Sequence, residues 1–84
     1  MRISADKHDR GHYEFISRLS QGLNVIIMLD GAVIQDVVTA DDEAGFVEFY
    51  PRNEAGEFYP DASGEAITRE RKSGAVTFVF TQRQ

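Results

Sequence analysis

Apolar positions in this 84-residue chain come in short β-branched and aromatic runs, broken at close intervals by Gly, Asp, Asn and Pro. That pattern predicts strands and tight turns rather than long helices. LNVIIML at 23–29 is apolar on both faces and is followed at once by Asp30-Gly31, the dipeptide suited to a two-residue hairpin turn, so it predicts a central strand. Its return strand is AVIQDVV at 32–38, with Val33 or Ile34 and Val37 or Val38 pointing inward according to register. An acidic corner (Asp41, Asp42, Glu43, Ala44, Gly45) separates it from a further strand, FVEFY at 46–50, which stops at Pro51. Near the end, AITRER (66–71) and AVTFVF (75–80) flank Ser73-Gly74. Val76, Phe78 and Phe80 alternate there with Thr77 and Val79, which predicts a closing hairpin.

The remaining segments are less regular. Residues 1–12 crowd Ser, Asp, Lys, His and Gly together without sustained periodicity and are expected to form an irregular arm. HYEFISRLSQG at 12–22 fits a short helix, with Phe15, Ile16 and Leu19 on one face and Gly22 as the stop, yet Tyr13, Phe15, Ser17 and Leu19 also alternate. The helix is favoured; a strand pairing back through SQG is the alternative. NEAGE at 53–57 and DASGE at 61–65 are near copies in which an Asn or Asp side chain can bond its own following backbone and a Gly can close the turn. Only FYP separates them, so an extended loop or twisted ribbon is expected. Together these elements predict one mainly β domain over 1–84 with its β core at 23–80. The expected architecture is a small antiparallel sandwich or partly open barrel of hairpins, with one short N-terminal helix as an option.

Size and composition narrow the function classes. A chain this short buries only about 60% of the surface its unfolded form exposes, so the core must be thin. Without cysteine it has neither disulfide nor thiolate metal site to hold it. The longest apolar run, VIIML, is strand length, and the start lacks the apolar stretch of a secretion signal. A soluble intracellular chain beginning near Met1 is therefore expected, with no membrane partner. The net charge of −5 is unevenly spread: residues 23–66 carry ten acids against one base, Arg52. A field of that sign repels phosphate backbones, which argues against direct nucleic-acid binding. The basic segment ITRERK at 67–72 is expected to be the solvated face of an edge strand.

Candidate chemistry is sparse. A helix-loop-helix calcium loop needs oxygens at alternating positions, and in ADDEAG the adjacent Asp41 and Asp42 break that spacing, so a solvent-facing, amide-capping corner is expected instead. His8 and His12 are four apart, but Gly11 lies between them and no apolar face fixes the segment; an exposed, mobile pair is expected rather than a metal site. No cysteine and no Gly-flanked serine elbow offers a nucleophile, and the glycines stand singly at turns rather than forming a phosphate loop. A carboxylate pair of the glycosidase kind would need a cleft this small chain is poorly equipped to build. No catalytic residue, metal site or cofactor is expected.

The aromatic residues point elsewhere. Phe46, Phe49, Tyr50, Phe58 and Tyr59 are concentrated around Pro51 and Pro60. FVEFYP and EFYP place rings on consecutive positions, hence on both faces of an extended chain, while a thin domain covers only one face with itself. These five residues are the candidate partner-binding set, for a protein partner or for self-association.

The order of pieces from LDGAVIQDVV through ADDEAG, FVEFY and the NEAGE turn to ITRERKSGAVTFVF, about residues 29–80, resembles small hypothetical proteins of tailed bacteriophages encoded near virion genes. The resemblance carries no activity or ligand. It implies a phage setting, in the host cytoplasm or associated with the virion, and a role as a capsid or tail accessory subunit. The alternative is an acidic inhibitor of a host defence system, acting by protein binding or by presenting its acids to a basic nucleic-acid groove.

Overall fold

The computed structural model describes residues 1–83. Its elements in chain order are β1 (Arg2–Ser4), α1 (His12–Ser20), β2 (Leu23–Leu29), β3 (Ala32–Val33), β4 (Val37–Asp41), β5 (Phe46–Phe49), β6 (Glu70–Ser73) and β7 (Val76–Gln82). They form two antiparallel sheets, sheet A in the order β1-β4-β5-β6 and sheet B in the order β3-β2-β7. The mainly β expectation therefore holds, with two sheets, one short helix and no closed barrel among the described residues.

Alternation along each strand places the core between the sheets. Sheet A contributes Ile3, Val38, Ala40 and Val47 from its inner face, and sheet B contributes Ile27, Leu29, Val76 and Phe78. Leu29, Ala40 and Val47 form one buried cluster, with Ile27, Val76 and Phe78 of sheet B and Val37 and Phe49 of sheet A half-buried around it. A thin core of this kind is what the chain length anticipates. Helix α1 packs against β1 and β2, turning Phe15 and Leu19 inward while Tyr13 and Ile16 stay exposed. The 3.6-residue period thus prevails over the alternating one between His12 and Ser20, and a half-buried Glu14–Arg18 ion pair at 2.8 Å spans one turn, with the Arg18 guanidinium over Phe80.

Two local expectations are met closely. Strand β2 is the central strand of its sheet, and Asp30 and Gly31 turn the chain with φ of 50° and 83°, the doubly left-handed backbone that Asp-Gly supplies. In the repeated turns, Asn53 Oδ1 accepts the Ala55 and Glu57 N–H groups, and Asp61 Oδ1 accepts those of Ser63 and Gly64. An isolated bridge between Pro60 and Ile67 makes the segment between β5 and β6 a ribbon.

Four expectations need correction. Residues 1–12 are not wholly an irregular arm: Arg2, Ile3 and Ser4 pair with Asp41, Ala40 and Thr39, and Ile3 and Ser4 are buried. Three residues are too few to show a period, so the strand is invisible until β4 offers it an edge. AVIQDVV is not one strand, because the chain kinks at Asp36 (φ 59°), whose carbonyl accepts the Tyr50 N–H and whose carboxylate binds Arg52. Strand β3 stays with β2 while β4 crosses to the other sheet. AITRER is strand only from Glu70, as a fully exposed edge. Finally, β6 and β7 do not form a hairpin. Each pairs elsewhere, β6 with β5 and β7 with β2. The Gly74 N–H donates to the Gly45 carbonyl, and a Cβ at Gly74 would sit 2.6 Å from an Asp30 carboxylate oxygen. Glycine leaves room there for the Asp30 and Leu29 side chains of sheet B to come close, and is not placed by a turn's φ.

Candidate interaction surfaces

The five predicted aromatics do not gather on one surface: Phe46 and Phe49 lie on opposite faces of β5, Tyr50, Phe58 and Tyr59 belong to the ribbon, and most are roofed by the chain's own cations. Phe46 lies on the outer face of β5, buried between the guanidiniums of Arg71 and Arg2, at 4.0 and 5.3 Å from the ring centroid. Phe49 points the opposite way, into the core, with the Lys72 ammonium 5.3 Å from its ring. Tyr50 meets Phe58 edge to face at 5.8 Å, with Arg69 over Tyr50 and Arg52 only 4.2 Å from the Phe58 centroid. Phe58 remains 38% exposed, and the half-buried Tyr59 is anchored in the ribbon by its carbonyl, which accepts the Thr68 N–H. Such cation–ring contacts contribute about 0.5–1 kcal/mol each at partly exposed sites. The charged residues near 67–72, expected only to be solvated, thus cover rings that would otherwise lie open.

Beside Phe46, the outer face of sheet A carries a connected polar network. Arg2 forks onto Asp9 through two bonds of 2.9 and 2.8 Å, and this guanidinium, helped by the Gly11 N–H and opposed by burial, lowers the Asp9 carboxyl to about 2. Asp41 is buried at the end of β4, where one oxygen accepts the Glu43 and Ala44 N–H groups at 2.9 Å and the other faces Arg2 and Arg10 at 3.6 Å. The Ala44 N–H is the largest influence holding its carboxyl below the ordinary range, against desolvation and together with the Glu43 N–H and Arg2. The acidic corner therefore caps amides as expected, but Asp41 is buried on the outer face of sheet A beneath Arg2 and Arg10 rather than open to solvent. Asp42 and Glu43 are exposed beside the Met1 ammonium, whose pKa is raised chiefly by its hydrogen bond to Asp42. Ser4 and Thr39 hydroxyls meet at 2.7 Å, and Glu48 takes Arg71 at 2.8 Å. Every buried side-chain polar atom described has a partner. Asp9 and Asp41, whose carboxyls are both lowered, stay ionised at neutral pH and tie the segment between β1 and α1 to sheet A.

The outer face of sheet B is different in kind. Cross-strand register sets Ile26 beside Val79 and Met28 beside Val33, with Asn24, Thr77 and Thr81 around them. Ile26, Val33 and Val79 are all exposed. Nothing in the alternation of VIIML identified this face, because the run is apolar on both sides and leaves open which side is covered.

A cavity of about 260 Å³ lies between α1 and strands of both sheets, lined by Ile3, Phe15, Val25, Ile27, Ile34 and Val38 among others, with Gln35 and Asp36 as its polar groups. Ligand pockets run from about 300 to 1,000 Å³, so this one is small even for a compact ligand. His8 and His12 are not the exposed, mobile pair expected. His12 is half-buried, with Nδ1 3.1 Å from the Ser4 carbonyl oxygen and its ring against Phe15, while His8 lies exposed in the preceding turn. Among the described residues, no three His, Asp or Glu side chains converge as metal ligands, and no helix is long and apolar enough to cross a membrane.

The fold and these surfaces define a small two-sheet antiparallel β protein with one covering helix. No family model, curated protein or solved structure matches the chain.

Proposed function

We propose that this chain is a non-catalytic protein-interaction module of a tailed bacteriophage, a small capsid or tail accessory subunit working in the host cytoplasm or on the virion. The observation that carries the interaction role is the grouping of uncovered apolar side chains on two surfaces, the ribbon and the outer face of sheet B. On the ribbon, Phe58, Tyr59 and Pro60 line one shallow concavity with Ile67. Tyr50 supports Phe58 from beneath, while Phe46 and Phe49 act as struts for β5 rather than as contact residues. Half-exposed aromatics rimmed by polar groups suit a protein contact. The phage setting rests on the sequence resemblance alone. Purified particles should carry the chain through density-gradient sedimentation, and a Phe58→Ser, Ile67→Ser double variant should be lost from them while keeping its fold. Absence of the unaltered chain from particles would end the virion reading.

One observation favours the acidic-inhibitor alternative. Glu54, Glu57 and Glu65 sit exposed on the ribbon and make no ion pair among the described residues. Binding through them to a basic groove would weaken steeply with ionic strength, whereas an apolar contact through Phe58 and Ile67 would hold.

A further inference from the structure

The two sheets have four edge strands, and three of them are blunted. Strand β3 has two residues, β1 has three, and β6 reads Glu70-Arg71-Lys72-Ser73. Short length and charge are the usual means by which an edge is kept from pairing with another chain. Strand β7 has neither: it runs seven residues, Val76–Gln82, without a charge, and pairs only with β2 among the described residues.

Its free groups can be assigned. The Asp30 N–H donates to the Ala75 carbonyl and the Arg83 N–H to the Gly22 carbonyl, both at 2.8 Å. Since bonded pairs alternate along an antiparallel ladder, Thr77, Val79 and Thr81 bond to β2, while the N–H and C=O groups of Val76, Phe78, Phe80 and Gln82 face away from it.

We propose that β7 is a self-association edge, pairing antiparallel with β7 of a second copy about a two-fold axis at Val79 to join two copies of sheet B into one six-stranded sheet. This names one partner for the interaction module proposed above and rests on that reading. The strand is complementary to itself in this register. Phe78 lies opposite the partner copy's Phe80 and Val76 opposite its Gln82, so every outward main-chain group of the four residues meets a counterpart. On the outer face Val79 meets its own copy in a non-hydrogen-bonded pair, where side chains approach most closely, and Thr77 faces Thr81. The half-buried Phe78 and Phe80, stacked at 6.4 Å within one chain, would gain cover on their open side.

Sedimentation equilibrium of the full chain, over about 5 to 500 µM, tests the pairing across the range of weak dimers. The mass should rise from 9.4 kDa to twice that value. Val79→Lys and Val79→Glu, which set like charges together at the axis, should each raise the dissociation constant at least about tenfold, and an equimolar mixture of the two should recover a dimer. Gln82→Pro removes an outward N–H without touching the ladder to β2; it should weaken the dimer while leaving the circular dichroism spectrum of the dilute chain unchanged. A wild-type chain monomeric throughout overturns the proposal, as does a folded Val79→Lys variant that dimerises like wild type or a mixture that stays monomeric. A monomer that still sediments with virions overturns the pairing and leaves the module reading standing; a dimer absent from virions supports the pairing and removes the virion reading.

Discussion

Along β1 and β4 the outer face of sheet A is built from charged and hydroxyl side chains and is largely covered, whereas the outer face of sheet B centres on aliphatic ones, flanked by Asn24, Thr77 and Thr81, and is open. Arg2, Ser4, Thr39 and Asp41 on sheet A lie beneath the loop that leads from β1 to α1, which sends Asp9 and Arg10 back over them. On sheet B, Ile26, Val33 and Val79 have no such cover. Composition alone would suggest the reverse. What separates the two faces is whether a connecting segment returns across the sheet, and a polar face can be covered only because each of its groups finds a partner within the network.

If sheet A is held from outside by that network, its disruption should have the largest effect. Asp41→Ala frees two capped amides and leaves Arg2 without part of its counter-charge, and should lower stability by about 3 kcal/mol, read as a fall of 10 °C or more, roughly, in thermal midpoint. A loss of less than about 1 kcal/mol would show that the corner is held by its backbone alone.

A smaller effect should appear with pH. Asp9 has its carboxyl lowered from 3.8 to about 2 by Arg2. A depressed carboxyl contributes stability that is fully present above the unfolded value and is lost as pH falls through the folded one. Denaturant midpoints should therefore decline between about pH 4 and 2, by an Asp9 share on the order of 1 kcal/mol after solvent screening. Asp9→Asn should flatten that decline; an unchanged slope would show that Arg2 and Asp9 are not coupled to folding.

The smallest effect belongs to sheet B. Ile26→Thr alters an exposed β-branched site and should change monomer stability by no more than about 0.5 kcal/mol. A loss several times larger, measured on dilute protein, would mean that the face is covered after all and would erase the contrast between the sheets.

Much of this architecture was legible in the chain. The Asp30-Gly31 turn, the central position of LNVIIML, the side-chain-closed turns at Asn53 and Asp61, and the edge role of Glu70 to Ser73 follow from local conformational preference, which a few adjacent residues express by themselves. The roofing of Phe46 was not legible, because it depends on a register that sets Glu48 against Arg71, with Arg71 reaching Phe46 from a strand far along the chain.

Residues near Ser73-Gly74 mark the boundary between the two kinds of information. Alternation and turn residues determined that strands lie on either side of that corner, since period and backbone preference are properties of neighbouring residues. Only the tertiary structure decided that β6 and β7 part company into different sheets, because Gly74 and Ala75 are bound by Gly45 and Asp30, groups distant in sequence. Pairing partners are chosen by which edges and apolar faces meet when the whole chain collapses, and a short segment contains no record of that choice.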